Sequence, residues 1–286
     1  MNASPIVPGA NGLPKLVLVA ADGARAEIYL HGAHVASWMA AGEDADRLFL
    51  SRSSEFRAGV AIRGGVPVIF PQFNVEGPLV KHGFARVQAW ELAGSAIDAS
   101  GLACAALRLA DSAASRAIWP HAFQAELTVG VGASTLGMTL AVHNTGASAF
   151  TFTVALHTYL SIGDLAHTRV LGLRNLRYRD SAAANVEGVQ SAAELAIEGE
   201  VDRIFFNAPS SIEVREPDRS MRVEAAGFPD VVVWNPGAAR GASIADLEPD
   251  GYARMLCIEA AAIGTPVTLD ADGKWQGSQR LIASHR

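Results

Sequence analysis

Charged residues are few in this chain of 286: Asp, Glu, Lys and Arg make up only 18%, against 50% hydrophobic residues. That balance excludes disorder over most of the length, because so apolar a chain buries enough surface to offset the entropy of ordering. Within the small charged fraction the basic sign is scarcer, 23 Lys and Arg against 29 Asp and Glu, for a net charge of −6. A general nucleic-acid binder needs a positive surface to neutralise phosphates, so that class is excluded. Cysteine is almost missing: Cys104 and Cys257 cannot build a disulfide framework, neither sits in a motif, and both are read as reduced core residues. Long hydrophobic runs are missing too. The densest apolar stretches are interrupted by Arg, Gly or Pro within about ten residues, which speaks against a membrane-spanning helix. The opening MNASPIVPGANGLPK has no basic stretch leading into an apolar one and does not read as a secretion signal. The expectation is a cytoplasmic, monomeric globular protein that engages neither membrane nor nucleic acid.

What the sequence has in quantity is alternation. In the segment 121–131, Phe123, Ala125, Leu127 and Val129 alternate with Gln124, Glu126 and Thr128. Leu136, Met138, Leu140 and Val142 hold one face of 134–143, and Phe150, Phe152, Val154 and Leu156 hold one face of 149–157. A period of two marks strands with one buried side. GVGAS and HNTGAS between these segments read as turns, so the three form a meander. Further short strands are expected at 16–20, 25–30, 66–70, 87–92, 211–216, 231–234 and 256–260. Helices are expected only at the Ala-rich stretch 182–198 and near 243–247, before Pro249. Strands do not alternate with long amphipathic helices, which disfavours a doubly wound parallel fold. The sequence therefore predicts an all-β fold, a large antiparallel β-sandwich with few short helices. Residues 1–14, with three prolines and two glycines, are expected to be a flexible lead-in, and 15–286 a single domain without internal repeat or linker.

A few polar residues stand out against this pattern. His157 has the opposite parity to Phe150, Phe152, Val154 and Leu156, and so points away from the apolar face with Thr151, Thr153 and Tyr159. It is either a histidine on a solvated strand face or an acid and base in a polar cleft. Glu259, in MLCIEAA, has the opposite parity to Leu256 and Ile258 and has no charged neighbour in sequence. It is either half of a structural ion pair or a desolvated carboxyl with a raised pKa. IRGGVP (62–67) and KHGFAR (81–86) bring Arg63, Lys81, His82 and Arg86 onto glycine-containing turns. These are either separate surface charges or a local positive pocket suited to phosphate oxygens. Neither segment is a Walker loop or a dinucleotide fingerprint. Asp202 and Arg203 in VDRIFFN fit a turn, and Trp234 in WNPG fits either the core or a surface that stacks on a ligand ring. His31 and His34, three apart on a predicted strand with no third ligand nearby, do not make a convincing metal site.

Together, HGAHVASW (31–38), IRGGVPVIFPQF (62–73), KHGFAR (81–86), NTGASAFTFTVALHTYL (144–160), VDRIFFN (201–207), VVVWNP (231–236) and MLCIEAA (255–261) resemble the hexose-6-phosphate mutarotases, or glucose-6-phosphate 1-epimerases, of the aldose-1-epimerase group. The resemblance runs from about Val17 to Leu269 and rests on the order and spacing of these pieces. It implies a galactose-mutarotase-like sandwich with the sugar in a cleft on one sheet, and His157 and Glu259 as the catalytic pair. It also implies substrate binding by Arg63, Lys81 and Arg86, with Asp202 on sugar hydroxyls; His82 belongs to the same basic segment.

The chemistry expected of these residues is anomer interconversion of a phosphorylated aldohexose. Glu259 takes the proton of the anomeric hydroxyl while His157 protonates the ring oxygen. The ring opens, C1–C2 rotates, and the roles reverse on closure. No cofactor and no metal are expected, since no electrons move and no group leaves. Two other readings share the fold: a mutarotase of unphosphorylated sugars, which would not require the positive cluster, and a non-catalytic sugar-binding protein. A standard glycosidase would need a second catalytic carboxylate, which is not evident.

Overall fold

The computed structural model describes residues 5–285. Its strands form three antiparallel sheets. A nine-stranded back sheet contains two strands of the expected meander: Phe123–Gly132 pairs with Thr135–Asn144, which pairs with Lys274–His285, whereas the third, Phe150–Leu156, crosses to the facing sheet and pairs with Met255–Leu269. An eight-stranded sheet carries, side by side, Val201–Phe205, Asp230–Asn235, Met255–Leu269 and Phe150–Leu156. A four-stranded sheet, Ile6–Pro8 to His34–Met39, adds Leu16, Leu18, Ile28, Val35 and Trp38 to the shared core. The architecture is the large antiparallel sandwich expected, and the α-helices among the described residues are the short Ala113–Ile118 and Gly237–Gly241. None of them is long and apolar enough to cross a membrane.

The alternation read in the sequence is what closes the sandwich. Leu127, Val129, Leu140 and Val142 of the back sheet meet Phe152, Val154, Leu156, Ile258 and Ala260 of the facing sheet in one continuous core. Each fully buried Leu, Val, Ile or Phe side chain contributes on the order of 1.5–3 kcal/mol. Polar groups also enter this interior, Gln279 among them. Gln279, on the back-sheet strand Lys274–His285, is 1% exposed. Its Nε2 donates to the carbonyl of Ile258 at 3.1 Å, and its Oε1 accepts from the Thr158 hydroxyl. The amide of Ile258 in turn donates to the carbonyl of Thr158 at 3.0 Å.

The outward side of the eight-stranded sheet is covered as well, by two smaller apolar clusters. One gathers Ile69, Phe73, Ala155, Ile204, Val232, Ala261 and Ile263; the other gathers Phe49, Tyr159, Leu247, Met255 and Cys257. The region around His157 and Glu259 lies between them.

Several expectations are corrected. No α-helix forms over 182–198: a single 3-10 turn at Ser181–Ala183 precedes the strands Val186–Val189 and Glu194–Ala196, which pair with Arg177–Asp180 and Arg169–Leu171. Nor does one form over 243–247; the helix in this region is Gly237–Gly241, followed by turns. Of the lead-in, residues 1–4 lie outside the described residues, whereas Ile6–Pro8 pair antiparallel with Pro14–Leu16 at the sheet edge. Cys257 is fully buried, but Cys104 is partly exposed.

Candidate active site

The backbone register of the eight-stranded sheet lays out the site. Asp202 faces Trp234, Trp234 faces Cys257, and Cys257 faces Tyr159, forming one row across the sheet. In the next row Ile204 faces Val232 and Val232 faces Glu259. Leu156 pairs with Ala260, so His157, the residue after it, arrives opposite Glu259. The His157 Nε2 and Glu259 Oε1 atoms are 3.3 Å apart.

The imidazole is fixed by aromatic neighbours. Tyr159 stacks on it at 4.8 Å with an interplanar angle of 9°. Trp234 meets both rings edge-on, and His82 approaches His157 edge-on at 5.6 Å. Both members of the pair are therefore buried, at 7% and 1% exposure. The parity reading placed them on the correct side of their strands, but that side is covered rather than solvated.

Arg63 is carried by a turn that only glycine permits. Gly64 and Gly65 have φ of +107° and +57°, and a Cβ would lie 2.4 Å from the Phe49 carbonyl oxygen and 2.3 Å from that of Val35. The Arg63 amide donates to Ser54 Oγ at 2.9 Å, and its carbonyl accepts from the Ser51 amide at 3.0 Å. Its guanidinium donates through Nε to Asp246 Oδ1 at 3.1 Å and through Nη1 to the Tyr159 hydroxyl at 2.9 Å.

The second basic turn is closed by paired contacts between Asn74 and His82. The His82 amide donates to the Asn74 carbonyl at 2.9 Å, and the Asn74 amide donates to His82 Nδ1 at 3.2 Å. Burial above all, then the neighbouring His157 and Arg86, keep His82 neutral. A neutral ring that accepts at Nδ1 carries its proton on Nε2, so His82 is a fixed donor. The buried side chain of Gln72 cinches this loop, donating to the carbonyls of Asn74 and Leu79 and accepting from the Leu79 amide. An ion pair between Glu76 and Arg179 ties the loop to the strand Arg177–Asp180.

Arg63, Lys81, His82, Arg86, His157, Asp202 and Glu259, all singled out in the sequence, line one cavity of about 600 Å³, mouth included. Phe73, Asn74, Trp234 and Arg240 complete it. Arg240, on the helix Gly237–Gly241, was missed; a cation just beyond the WNPG turn is its sequence signal. Asp246 and Tyr159, which hold Arg63, were missed as partners because they lie 183 and 96 residues away. His31 and His34 stand apart. His31 bonds the Val60 carbonyl at 2.7 Å, while burial pushes His34 down to about 3. No group of three or more His, Cys, Asp or Glu among the described residues is placed to hold a metal ion.

Burial dominates the electrostatics. It holds His157 well below its ordinary value, with Arg63 and Arg86 adding to the effect. It pushes Glu259 well above the carboxylate range, with Asp202 adding and Lys81 and Arg86 opposing. Asp202 rises to about 6, again chiefly through burial. Glu259 Oε2 and Arg86 Nε are buried with no hydrogen-bond partner among the described residues. The cavity thus offers a proton-carrying pair, unmet polar atoms and several cations.

Comparison with known proteins identifies the family. The aldose 1-epimerase family model matches residues 14–281. A provisionally named glucose-6-phosphate 1-epimerase of Cenchrus ciliaris is 35% identical over 97% of this chain and 87% of its own length. Its provisionally named counterpart in Escherichia coli K12 is 36% identical over 86% of this chain and 82% of its own length. The crystal structure of a provisionally assigned mutarotase from Salmonella typhimurium superposes with a TM-score of 0.88 at 29% identity, covering 99% of this chain and 97% of that one.

Proposed function

The chain belongs to the aldose 1-epimerase family, and on that premise we propose that it interconverts the α and β anomers of a hexose 6-phosphate, glucose 6-phosphate in the first instance. The observation that carries the proposal is the His157–Glu259 pair, 3.3 Å apart, in a cavity that Arg63, Lys81, Arg86 and Arg240 also line. Ring opening needs a base at the anomeric hydroxyl and an acid at the ring oxygen at the same moment. A histidine and a glutamate sharing one proton supply both, in either of two arrangements of equal net charge. Burial favours the arrangement with both groups neutral. A phosphate dianion beside Arg63 and Arg86 offsets the cations that disfavour imidazolium, and so shifts the proton toward His157. Glu259 then removes the anomeric proton and His157 donates to the ring oxygen.

The same geometry supports one orientation of the substrate. With the ring oxygen at His157, the adjacent C5 and its C6 phosphate point toward the Tyr159 end of the row, where Arg63 is held. C1 then faces Glu259, and Asp202 accepts from sugar hydroxyls. The Nε2–H of His82 donates to a sugar or phosphate oxygen. Guanidinium groups bind phosphate through charge-assisted hydrogen bonds worth roughly 1.5–3 kcal/mol each.

NMR exchange spectroscopy on glucose 6-phosphate and on glucose, with one enzyme preparation, tests the proposal. The expected result is a kcat/KM at least about 10²-fold higher for the phosphate ester, the equivalent of one to two such contacts. Equal values, or a preference for glucose, would reject the phosphate assignment.

A further inference from the structure

The two basic turns of the cavity share a support, the segment HGAH (31–34), which the proposed chemistry leaves unused. It leads into the strand His34–Met39 of the four-stranded sheet and is bridged to the chain just after each of the two arginines. Beyond Arg63, Val35 bridges Val66, whose amide donates to the Val35 carbonyl at 2.8 Å. Beyond Arg86, His31 bridges Ala89, and the Gly32 amide donates to the Gln88 carbonyl at 2.7 Å. The His31 side chain adds a third tie. A carbonyl can only accept, so Nε2 donates to that of Val60, upstream of Arg63, at 2.7 Å.

These contacts are closer than larger side chains would allow. A Cβ on Gly32, whose φ is +74°, would lie 2.5 Å from the Arg86 carbonyl oxygen and 3.1 Å from its Cα. A Cβ on Gly65 would lie 2.6 Å from His34 Nε2. Gly32 thus seats the backbone of Arg86 itself, and the His34 ring seats the second glycine of the turn that carries Arg63. His34 is 1% exposed, and its Nε2 has no hydrogen-bond partner among the described residues. Burial keeps the ring neutral, so it brings no charge to the neighbourhood of Arg86. What it supplies there is its shape, wedged against Gly65. The two arginines depend on this support unequally. Asp246 and the Tyr159 hydroxyl hold the Arg63 guanidinium. Arg86 donates through Nη2 to the Lys81 carbonyl of its own loop at 3.1 Å, and its Nε is buried without a partner among the described residues.

We infer that Gly32 and His34 are positioning residues for the phosphate: through the backbones of Arg86 and Gly65 they fix the separation of the Arg86 and Arg63 guanidinium groups, and with it the preference for a phosphorylated sugar. The inference rests on the reading of the site as one for hexose 6-phosphates. Charge-assisted bonds from two arginines to one phosphate require both guanidinium groups to be in place before the ligand arrives, and a shift of about 1 Å in either turn loses one of them. Neither Gly32 nor His34 lines the cavity, so the proton transfers at C1 and the ring oxygen are spared once substrate is bound.

Exchange NMR on glucose 6-phosphate and on glucose, with thermal unfolding of each variant, tests this. His34→Leu takes the ring away from Gly65 together with its unpartnered nitrogen, and Tm should stay within about 3 °C of wild type. KM for glucose 6-phosphate is expected to rise about 5-fold with kcat within about 2-fold, the signature of lost uniform binding. Gly32→Ala, which drives a methyl group against the Arg86 carbonyl, should raise KM at least about 10-fold with the same sparing of kcat. Should Gly32→Ala not fold, His34→Leu decides. In a wild type that prefers glucose 6-phosphate, an unchanged KM in His34→Leu, or a loss confined to kcat or to Tm, would overturn the positioning role alone. A wild type that treats the two sugars alike, or prefers glucose, would overturn the hexose 6-phosphate reading, and this inference with it.

Discussion

The role proposed for Glu259 sets function against stability. Its folded-state pKa lies above the ordinary carboxylate value, so between those two values the native state holds a proton that the unfolded chain releases. Stability from this group is therefore present at low pH and declines as pH rises through that window. Glu259→Gln removes the dependence. It is expected to raise Tm relative to wild type at pH 8, by a margin that shrinks toward pH 5, while anomer exchange falls at least about 10²-fold. Thermal unfolding at the two pH values and exchange NMR measure both; a lower Tm at pH 8, or near-normal exchange, contradicts the assignment. His157→Ala should lose exchange to a similar degree. At this scale the pair was legible because strand parity separated it from Leu156 and Ile258. The partners of Arg63 were not, since no local pattern ties Asp246 or Tyr159 to a residue so distant in sequence.

Elements place these residues more firmly than their sequences suggest. The Ala-rich stretch 182–198 has helical propensity, yet its strands fill edge positions of two sheets, and pairing there overrides a preference of a few tenths of a kcal/mol per residue. The strands Phe123–Gly132 and Thr135–Asn144 were legible as a pair because their alternation continues over ten residues each; the crossing of Phe150–Leu156 to the facing sheet was not, because alternation fixes which face is buried and not which strand is the neighbour. The loop bearing Lys81 and His82 was legible only as a turn; its tie to Arg179 spans 103 residues. A partly exposed pair such as Glu76–Arg179 contributes about 0–1 kcal/mol to stability, so its loss should show in the site rather than in the fold. Arg179→Met is expected to raise KM for glucose 6-phosphate several-fold with Tm nearly unchanged. An unchanged KM would mean that Gln72 alone holds the loop.

Across the whole molecule the net charge is −6, yet the substrate proposed for it is a dianion. The average field repels such a ligand, and only the local cations of the cavity attract it. Raising the ionic strength from about 0.05 to 0.5 M should therefore raise KM for glucose 6-phosphate and leave any activity on glucose nearly constant, because screening acts on the charged ligand alone. A parallel loss on both sugars would point to a salt effect on the fold. The sandwich itself could be read from strand count and periodicity. The buried character of the cleft could not, because it depends on loops such as 243–250, whose sequences carry no period.

Gln279 gives the sandwich a further property. Its single amide grips Thr158 and Ile258, the immediate neighbours of His157 and Glu259, from the opposite sheet. The interior between the sheets thus aligns the proposed catalytic pair as well as supporting it. Replacing Gln279 alone strands the Thr158 hydroxyl in a dry interior, whereas exchanging both for apolar residues removes that penalty. In descendants of this chain, positions 158 and 279 are therefore expected to change as a pair or stay fixed, while the cavity's rim is free to diverge.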